Sequence, residues 1–291
     1  MPDALVLFDE VRPSLFGIAY RMLGSVADAE DVVQDAWLRW ARADRSEVRN
    51  AAAFLTTITT RLAITAVTSA RARREVYVGP WLPEPVSTAD DPALGAERAE
   101  ALDLAVLLLM ERLAPRERAA YVLREAFDYS FRDIAEVLET TEANARQLAR
   151  RARTHLESER HAPVDPDSHG RLLAAFLTAA SSGDLASLEK LLTEDAVSLS
   201  DGGGIVSAAR VPVTGRDHIA RFIVGTLARF GVGASISVVS VNGRPAVLAT
   251  RDGAPLVVAT IDAGQDGIRR LLMVVNPSKL GAFGPGGGTR G

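Results

Sequence analysis

Residues 113–156 hold a short helical segment between two longer ones, with turns of only a few residues on each side, and that spacing leaves few ways to fold. Leu113, Ala114 and Pro115 open a helix that carries Val122 and Leu123. Ser130, with Asp133 three residues on, has the pattern of an N-cap. The next helix, FRDIAEVL, turns Ile134, Ala135 and Leu138 inward; Glu139, Thr140 and Thr141 make the turn. Thr141 caps the last helix, whose apolar stripe is Ala145, Leu148, Ala149, Ala152 and Leu156. Its small alanines let two helices cross closely. The spacing predicts a helix-turn-helix.

The outward residues of that last helix are Glu142, Asn144, Arg146 and Gln147, then Arg150, Arg151 and Arg153. A helix entering a major groove reads bases with its early residues and holds phosphates with the rest. Asn and Gln pair with adenine and Arg with guanine. A plain amphipathic helix with a solvated basic face would also carry arginines. Four of them within eight residues, after a tight turn, favour DNA.

Residues 5–75 read as a first helical module. A helix is expected from Arg12, with Pro13 in its first turn and Leu15, Ile18, Ala19 and Leu23 inward. Ser25 and Asp28 form a candidate capping box for a helix over 26–41, with Val26, Ala29, Val33, Trp37 and Trp40 as its buried stripe. Asp28, Asp31 and Asp35 make an acidic ridge on that helix. The ridge would repel DNA, so it faces a basic protein partner or water. A third helix over 52–74 sets Thr56, Thr57, Thr59 and Thr60 beside Arg61 and ends in Arg71, Arg73 and Arg74. Hydroxyls and guanidiniums suit single-strand and phosphate contacts, although arginines at a helix C-terminus also complement its dipole.

Residues 76–96 break the helical pattern with Pro80, Pro83, Pro85 and Pro92, and read as a linker. A flexible tether has no use for Trp81 and Leu82, so these, with Pro83, are expected to dock on a neighbouring domain. Past a second break at 161–168 the chain changes character. Two short helices (168–181, 184–192) lead to strands at 197–200 and 205–208, a helix at 216–230, and strands at 234–242, 245–251, 255–262 and 268–275. Helices followed by a strand meander predict an α+β domain. The glycine-rich tail 281–291 is expected to be disordered.

Such a domain can enclose a pocket, and the candidates for acid–base catalysis there are Asp201, Asp217, His218, Asp252 and Asp262. Each has a turn or cap reading, and no tyrosine follows Tyr129 to serve an oxyanion hole. No catalytic set is assigned. Gly202, Gly203 and Gly204 are not followed by Lys-Ser or Lys-Thr, so they suit a tight turn or close approach to the linker rather than a phosphate loop. Asn276 and Pro277 end the last strand.

Formal net charge is −4, so any nucleic-acid contact must be local. With no cysteine, disulfides, thiol chemistry and Cys-ligated zinc are excluded, and four scattered histidines disfavour another metal site. No cofactor is expected. No signal peptide and no run of eighteen apolar residues is found, so no membrane contact and a cytoplasmic location are expected.

The segments 7–40 and 113–153 resemble, in order, the two conserved modules of extracytoplasmic-function sigma factors. WLPEPV at 81–86, DGGG at 201–204 and NPSKL at 276–280 resemble the subgroup with a C-terminal SnoaL-like domain. The resemblance implies two all-α modules, at 1–75 and 97–160, and an NTF2-like α+β cone at 168–280. It implies that Asp28, Asp31, Asp35 and Trp37 meet the polymerase β′ clamp helices, and that the second module meets the β flap. Residues 44–74, with Arg61, Arg71, Arg73 and Arg74, would open the minus-ten element; 142–156 would read the minus-35 element. The linker would run near the RNA exit path. Asp201, Gly202, Gly203, Asn276, Pro277, Lys279 and Leu280 would take part in regulation in cis, through contact of the SnoaL-like domain with the sigma modules. A small-molecule ligand in the pocket stays open. The competing reading is a helix-turn-helix regulator with a ligand-sensing C-terminal domain.

Overall fold

The computed structural model describes residues 4–44, 46, 48–88, 102–159 and 164–284. The chain divides into two compact units, one of residues 1–76 and 91–159, the other of 77–90 and 160–291.

The first unit opens with α1 (Ala4–Leu23), α2 (Val26–Arg42) and α3 (Ala51–Glu75). α1 starts two turns earlier than the sequence suggests, with Pro13 in its interior. A mid-helix proline costs about 3 kcal/mol. Here tertiary contacts hold the turns before it: the Phe8 ring lies 5.0 Å from Trp37, and the Trp40 indole N–H donates to the Ala4 carbonyl at 2.9 Å. Ser25 caps α2, its Oγ accepting from the Asp28 amide at 3.3 Å. The buried stripe of α2 is Ala29, Val32, Val33, Ala36 and Trp40, while Val26 and Trp37 are half-buried. Asn50 caps α3 by accepting from the Ala53 amide at 3.1 Å. By length and composition α3 could cross a membrane, but it packs along α1 and α2. Thr56, Thr59 and Thr60 are buried, so three of the four α3 threonines expected to meet nucleic acid are interior in this conformation, while Thr57 is half-buried and donates to the Ala53 carbonyl at 2.8 Å.

The unit continues with α4 (Leu104–Met110), α5 (Pro115–Tyr121), α6 (Phe131–Val137) and α7 (Glu142–Glu159). α5 does not run on as a regular helix through Val122 and Leu123; it widens into a π-turn at Val122–Ala126. Ser130 Oγ accepts from the Asp133 amide at 3.2 Å, and Thr141 Oγ1 from the Asn144 amide at 3.2 Å, so both expected caps form. Glu139, at φ 47°, makes the turn between them.

The second unit contains α8 (Pro166–Ser182), α9 (Leu185–Leu191), β1 (Leu192–Asp201), β2 (Val213–Thr214), α10 (Arg216–Phe230), β3 (Ser235–Val241), β4 (Arg244–Arg251), β5 (Ala254–Gly264) and β6 (Gly267–Val274). The sheet order is β2-β1-β6-β5-β4-β3. β3 to β6 form the expected antiparallel meander, but β1 lies parallel to β6, so the sheet is mixed. Residues 205–208 are not the expected strand. Gly203 and Gly204 take φ of 59° and 72°, and the Gly202 carbonyl accepts from the Ile205 and Val206 amides, which turns the chain away from the sheet. Leu173, Phe176, Leu188, Ile219 and Ile223 from the helices bury one sheet face with Val247, Ile261, Leu271 and Met273. The unit is a mixed α+β sheet domain, the class that the order of helices and strands predicts. Of the tail, Gly281–Phe283 form a 3-10 turn, and 285–291 lie outside the described residues.

Candidate nucleic-acid interface and linker clamp

α7 presents a mostly charged outer face. Arg146 pairs with Glu142 and lies 5.4 Å above the Phe131 ring. Arg151 meets Glu117 at 2.9 Å. Arg153 meets Glu125, whose hydrogen bond and charge push its pKa up. Arg150 and Gln147 are exposed and make no polar contact among the described residues. Asn144 is half-buried and donates to Thr140 Oγ1 at 2.8 Å, which ties it to the turn. Gln147, Arg150, Arg151, Thr154, His155 and Ser158 line one groove of about 460 Å³. Sequence reading missed the last three, although they continue the i, i+4, i+7 row from Gln147.

The α3 arginines are all engaged. Arg73 forms a two-pronged pair with Asp28 at 2.8 and 2.9 Å. Arg61 donates to the Val137 carbonyl at 2.8 Å and the Glu136 carbonyl at 3.2 Å, and meets the Glu139 carboxylate at 2.8 Å. It thereby satisfies the orphan carbonyls at the C-terminus of α6. Arg71 donates to the carbonyls of Glu111, at 2.8 Å, and Leu113. Arg74 donates to the Leu23 carbonyl and meets the Glu111 carboxylate. Arg118 reaches back to the Met22 carbonyl at 2.6 Å and to Glu111 at 2.7 Å. Burial pushes Arg74 and Arg118 down to about 9, and a neighbouring guanidinium adds to each shift. Thr56 and Tyr129 share a hydroxyl–hydroxyl bond of 2.9 Å across the same seam. On α2, Asp31 and Asp35 stay exposed with Leu38, whereas Trp37 is half-buried against Phe8.

The second cluster lies in the other unit. Asp201, at the end of β1, is fully buried. It accepts from the Tyr77 hydroxyl at 2.6 Å, the Leu82 amide at 2.8 Å, the Gly203 amide at 3.1 Å and the Lys279 ammonium at 2.8 Å. Burial and the Asp201 bond push the Tyr77 hydroxyl well up from its ordinary value. Asn276 Nδ2 donates to the Tyr77 hydroxyl at 2.9 Å. Lys279 also donates to the Leu82 carbonyl and lies 4.3 Å from the Trp81 ring centre and 5.3 Å from that of Tyr77. Further along, Asn242 and Val86 exchange two bonds of 3.0 Å, and Ser87 bridges to Val241 on the edge of β3. Leu82, Pro83, Pro85 and Val86 are buried. Linker residues 77–88 are thus an ordered part of the C-terminal unit. Pro277 starts a 3-10 turn at the surface, and Leu280 behind it is buried.

Two family models match the chain: Sigma-70 region 2 over residues 7–73 and Sigma-70, region 4 over 103–156. The ECF RNA polymerase sigma factor SigJ of Mycobacterium tuberculosis is 38% identical over 292 aligned residues, covering 94% of this chain and 92% of SigJ. The chain belongs to the ECF RNA polymerase sigma factors. A probable ECF sigma factor of the same organism, SigI, is 34% identical over 92% of each chain. The crystal structure of M. tuberculosis SigJ superposes with a TM-score of 0.76 at 35% identity, covering 95% of this chain and 98% of that one.

In this sigma factor, region 2 comprises α1–α3 and region 4 comprises α4–α7. The DGGG and NPSKL stretches converge on the linker, as Asp201, Gly203, Asn276 and Lys279 show. Tyr77 and Asn242 were not foreseen: a lone phenol in a proline-rich stretch carries no signal, and Asn242-Gly243 reads only as a hairpin turn. The candidate catalytic acids are dispersed: Asp201 in the clamp, Asp217 beside Arg221, Asp252 in a hairpin turn and Asp262 beside Arg270. The glycines have steric reasons. A Cβ on Gly203 would lie 2.3 Å from Asn276 Nδ2, and one on Gly202 would lie 2.7 Å from the Ala208 Cβ. Gly203→Ala is therefore expected to lower unfolding stability by about 1–3 kcal/mol through left-handed strain and displacement of Asn276, measured by urea denaturation.

Proposed function

We propose that this sigma factor brings core RNA polymerase to its promoters through three surfaces, and that its C-terminal domain sets its activity in cis by holding the linker. The exposed Asp31–Asp35–Leu38 face of α2, with Asp28 and Trp37 beside it, docks on the β′ clamp helices. Region 4 meets the β flap and reads the minus-35 element with α7; α3 acts on the minus-ten element. Three of the four α3 arginines are spent on region 4 in this conformation, so the seam opens before α3 meets DNA. The protein works in the cytoplasm, and its C-terminal domain binds rather than catalyses.

The observation that carries the cis reading is Asp201, a buried carboxylate whose partners include two linker groups and Lys279. Its test is promoter-specific transcription with purified core polymerase, comparing full-length protein with Lys279→Met. A changed yield at equal polymerase binding is expected; identical transcription would sink the cis reading. The presence of region 2 disfavours a conventional helix-turn-helix regulator, which needs no polymerase-facing module.

α7 gives a second expectation. Arg150→Ala should weaken binding similarly on all duplexes and flatten the log K–log salt slope by about 1, as loss of one phosphate contact does. Gln147→Ala should instead narrow the gap between cognate and scrambled duplex. Fluorescence anisotropy of region 4–DNA binding by the polymerase holoenzyme at several salt concentrations separates the two.

A further inference from the structure

The two edges of the second unit's sheet are built differently. One edge is β2, which is only Val213–Thr214. The other is β3, Ser235–Val241, which pairs with β4 along its whole length without a register shift. Its sequence, SISVVSV, holds no charge and no proline, and Ile236 and Val238 are 45% and 61% exposed. Sheet edges are ordinarily blunted by shortness, a bulge, a proline or a charge. β3 has none of these, so its edge is open to another strand.

The register shows which groups face outward. The two-residue turn Asn242-Gly243 makes Val241 and Arg244 a bonded pair, and bonded pairs recur at every second residue. Odd-numbered residues of β3 therefore bond β4, and even-numbered ones aim their N–H and C=O away from the sheet. The linker takes the outward groups at one end: the Thr88 amide donates to the Ser240 carbonyl at 3.1 Å, and the Asn242 amide to the Val86 carbonyl at 3.0 Å. At the other end the Ala234 amide donates to the Gly231 carbonyl at 3.0 Å, in a turn with Gly233 at φ 72°. Residues 235–239 lie between these two stops. Among the described residues no backbone bond reaches the outward groups of Ile236 and Val238.

We propose that the open edge of β3 pairs with β3 of a second copy of this chain, antiparallel about a two-fold axis at Ser237. Outward residues must face outward residues, which restricts the register. Centring on Val238 would drive Ile236 into Ser240 of the partner subunit, where the linker already sits. Centring on Ile236 would set Val238 against the partner subunit's Ala234, in the turn. Centring on Ser237 sets Ile236 opposite Val238 of the partner subunit. These two exchange both backbone bonds, twice by symmetry, with their exposed side chains together on one face. Every free position is used and neither stop is reached. The chain's own continuation after Thr88, Ala-Asp-Asp-Pro, competes poorly, because strands avoid acids and proline. A contact of this size is at the small end of specific interfaces, so a Kd of about 1–100 μM is expected. The contact goes beyond the promoter function and does not rest on it.

The test is sedimentation velocity on full-length protein up to about 200 μM, above the weakest expected Kd. A reversible monomer–dimer equilibrium is expected. Val238→Lys, at an exposed position, should weaken it about tenfold or more with the melting temperature unchanged. The chain has no cysteine, so Ser237→Cys supplies a single thiol. That thiol faces its own copy in the non-bonded pair at the axis, where Cα atoms stand about 4.5 Å apart, within disulfide reach. Mild oxidation should cross-link Ser237→Cys and spare Ser235→Cys, whose position faces Val239 of the partner subunit. This contrast holds whether or not Val238→Lys folds. The proposal is overturned by protein that stays monomeric throughout, by a dimer indifferent to a folded Val238→Lys, or by equal cross-linking of the two cysteine variants. It is also overturned by a monomer whose Ile236 and Val238 amides resist exchange, which would give the edge to another segment of the chain.

Discussion

Asp201→Asn is expected to destabilise the C-terminal unit by about 3–5 kcal/mol and to release residues 77–88. The substitution keeps the shape of the side chain but removes the charge that faces Lys279. That ammonium is only 11% exposed, so it would be left buried without its carboxylate, and breaking one partner of a buried pair costs that much. The loss is compounded because the same carboxylate accepts from Tyr77 and Leu82, whose donors would compete for a single amide oxygen. Chemical unfolding of the full chain measures the first effect, and amide exchange over 77–88 the second. Replacing both partners, Asp201→Asn with Lys279→Met, should recover a large part of the stability, because no charge is then stranded. A linker that stays protected in Asp201→Asn would show that the apolar contacts of Leu82 and Val86 suffice to hold it.

How far the sequence reveals this molecule depends on whether a feature is local. Helix caps at Ser25, Ser130 and Thr141 are local chemistry and appear where the residues place them. The helix of 216–230 and the four strands of the meander likewise follow their own periodicity. The misreadings are all tertiary. α1 runs through Pro13 because Trp37 and Trp40 hold its first turns. Residues 205–208 look β-prone, yet the left-handed glycines before them turn the chain out of the sheet. Trp81 and Leu82 betrayed a docked linker through their size, but nothing in the sequence could show that a hydroxyl at Tyr77 and a carboxylate at Asp201, 124 positions apart, would share a bond of 2.6 Å. The same holds for the arginines of α3: charge and spacing mark them as phosphate-seeking groups, whereas only the fold shows Arg61, Arg71 and Arg74 turned onto region 4.

Glu111 is where that second arrangement is most vulnerable. Its carboxylate stands between Arg74 and Arg118, whose side chains are 14% and 1% exposed, and its carbonyl accepts from Arg71. Glu111→Gln removes a carboxylate that both buried guanidiniums contact. A loss of about 3–5 kcal/mol follows from stranding buried charge. In a unit of this size that corresponds to a melting temperature lower by roughly 6–20 °C. The loss should concentrate at the region 2–region 4 seam, since α1 to α3 keep their own apolar contacts and α7 keeps those with α5 and α6. Scattering in solution should then show a larger radius of gyration. If the seam hides the α3 arginines from DNA, Glu111→Gln should also give more open promoter complex at limiting polymerase, despite the lower stability. A variant that is less stable but no more active would mean that polymerase opens the seam at negligible cost. A variant as compact and as stable as the parent would mean that Met22, Leu23 and Val137, whose carbonyls take the remaining arginine donors, hold the seam without Glu111.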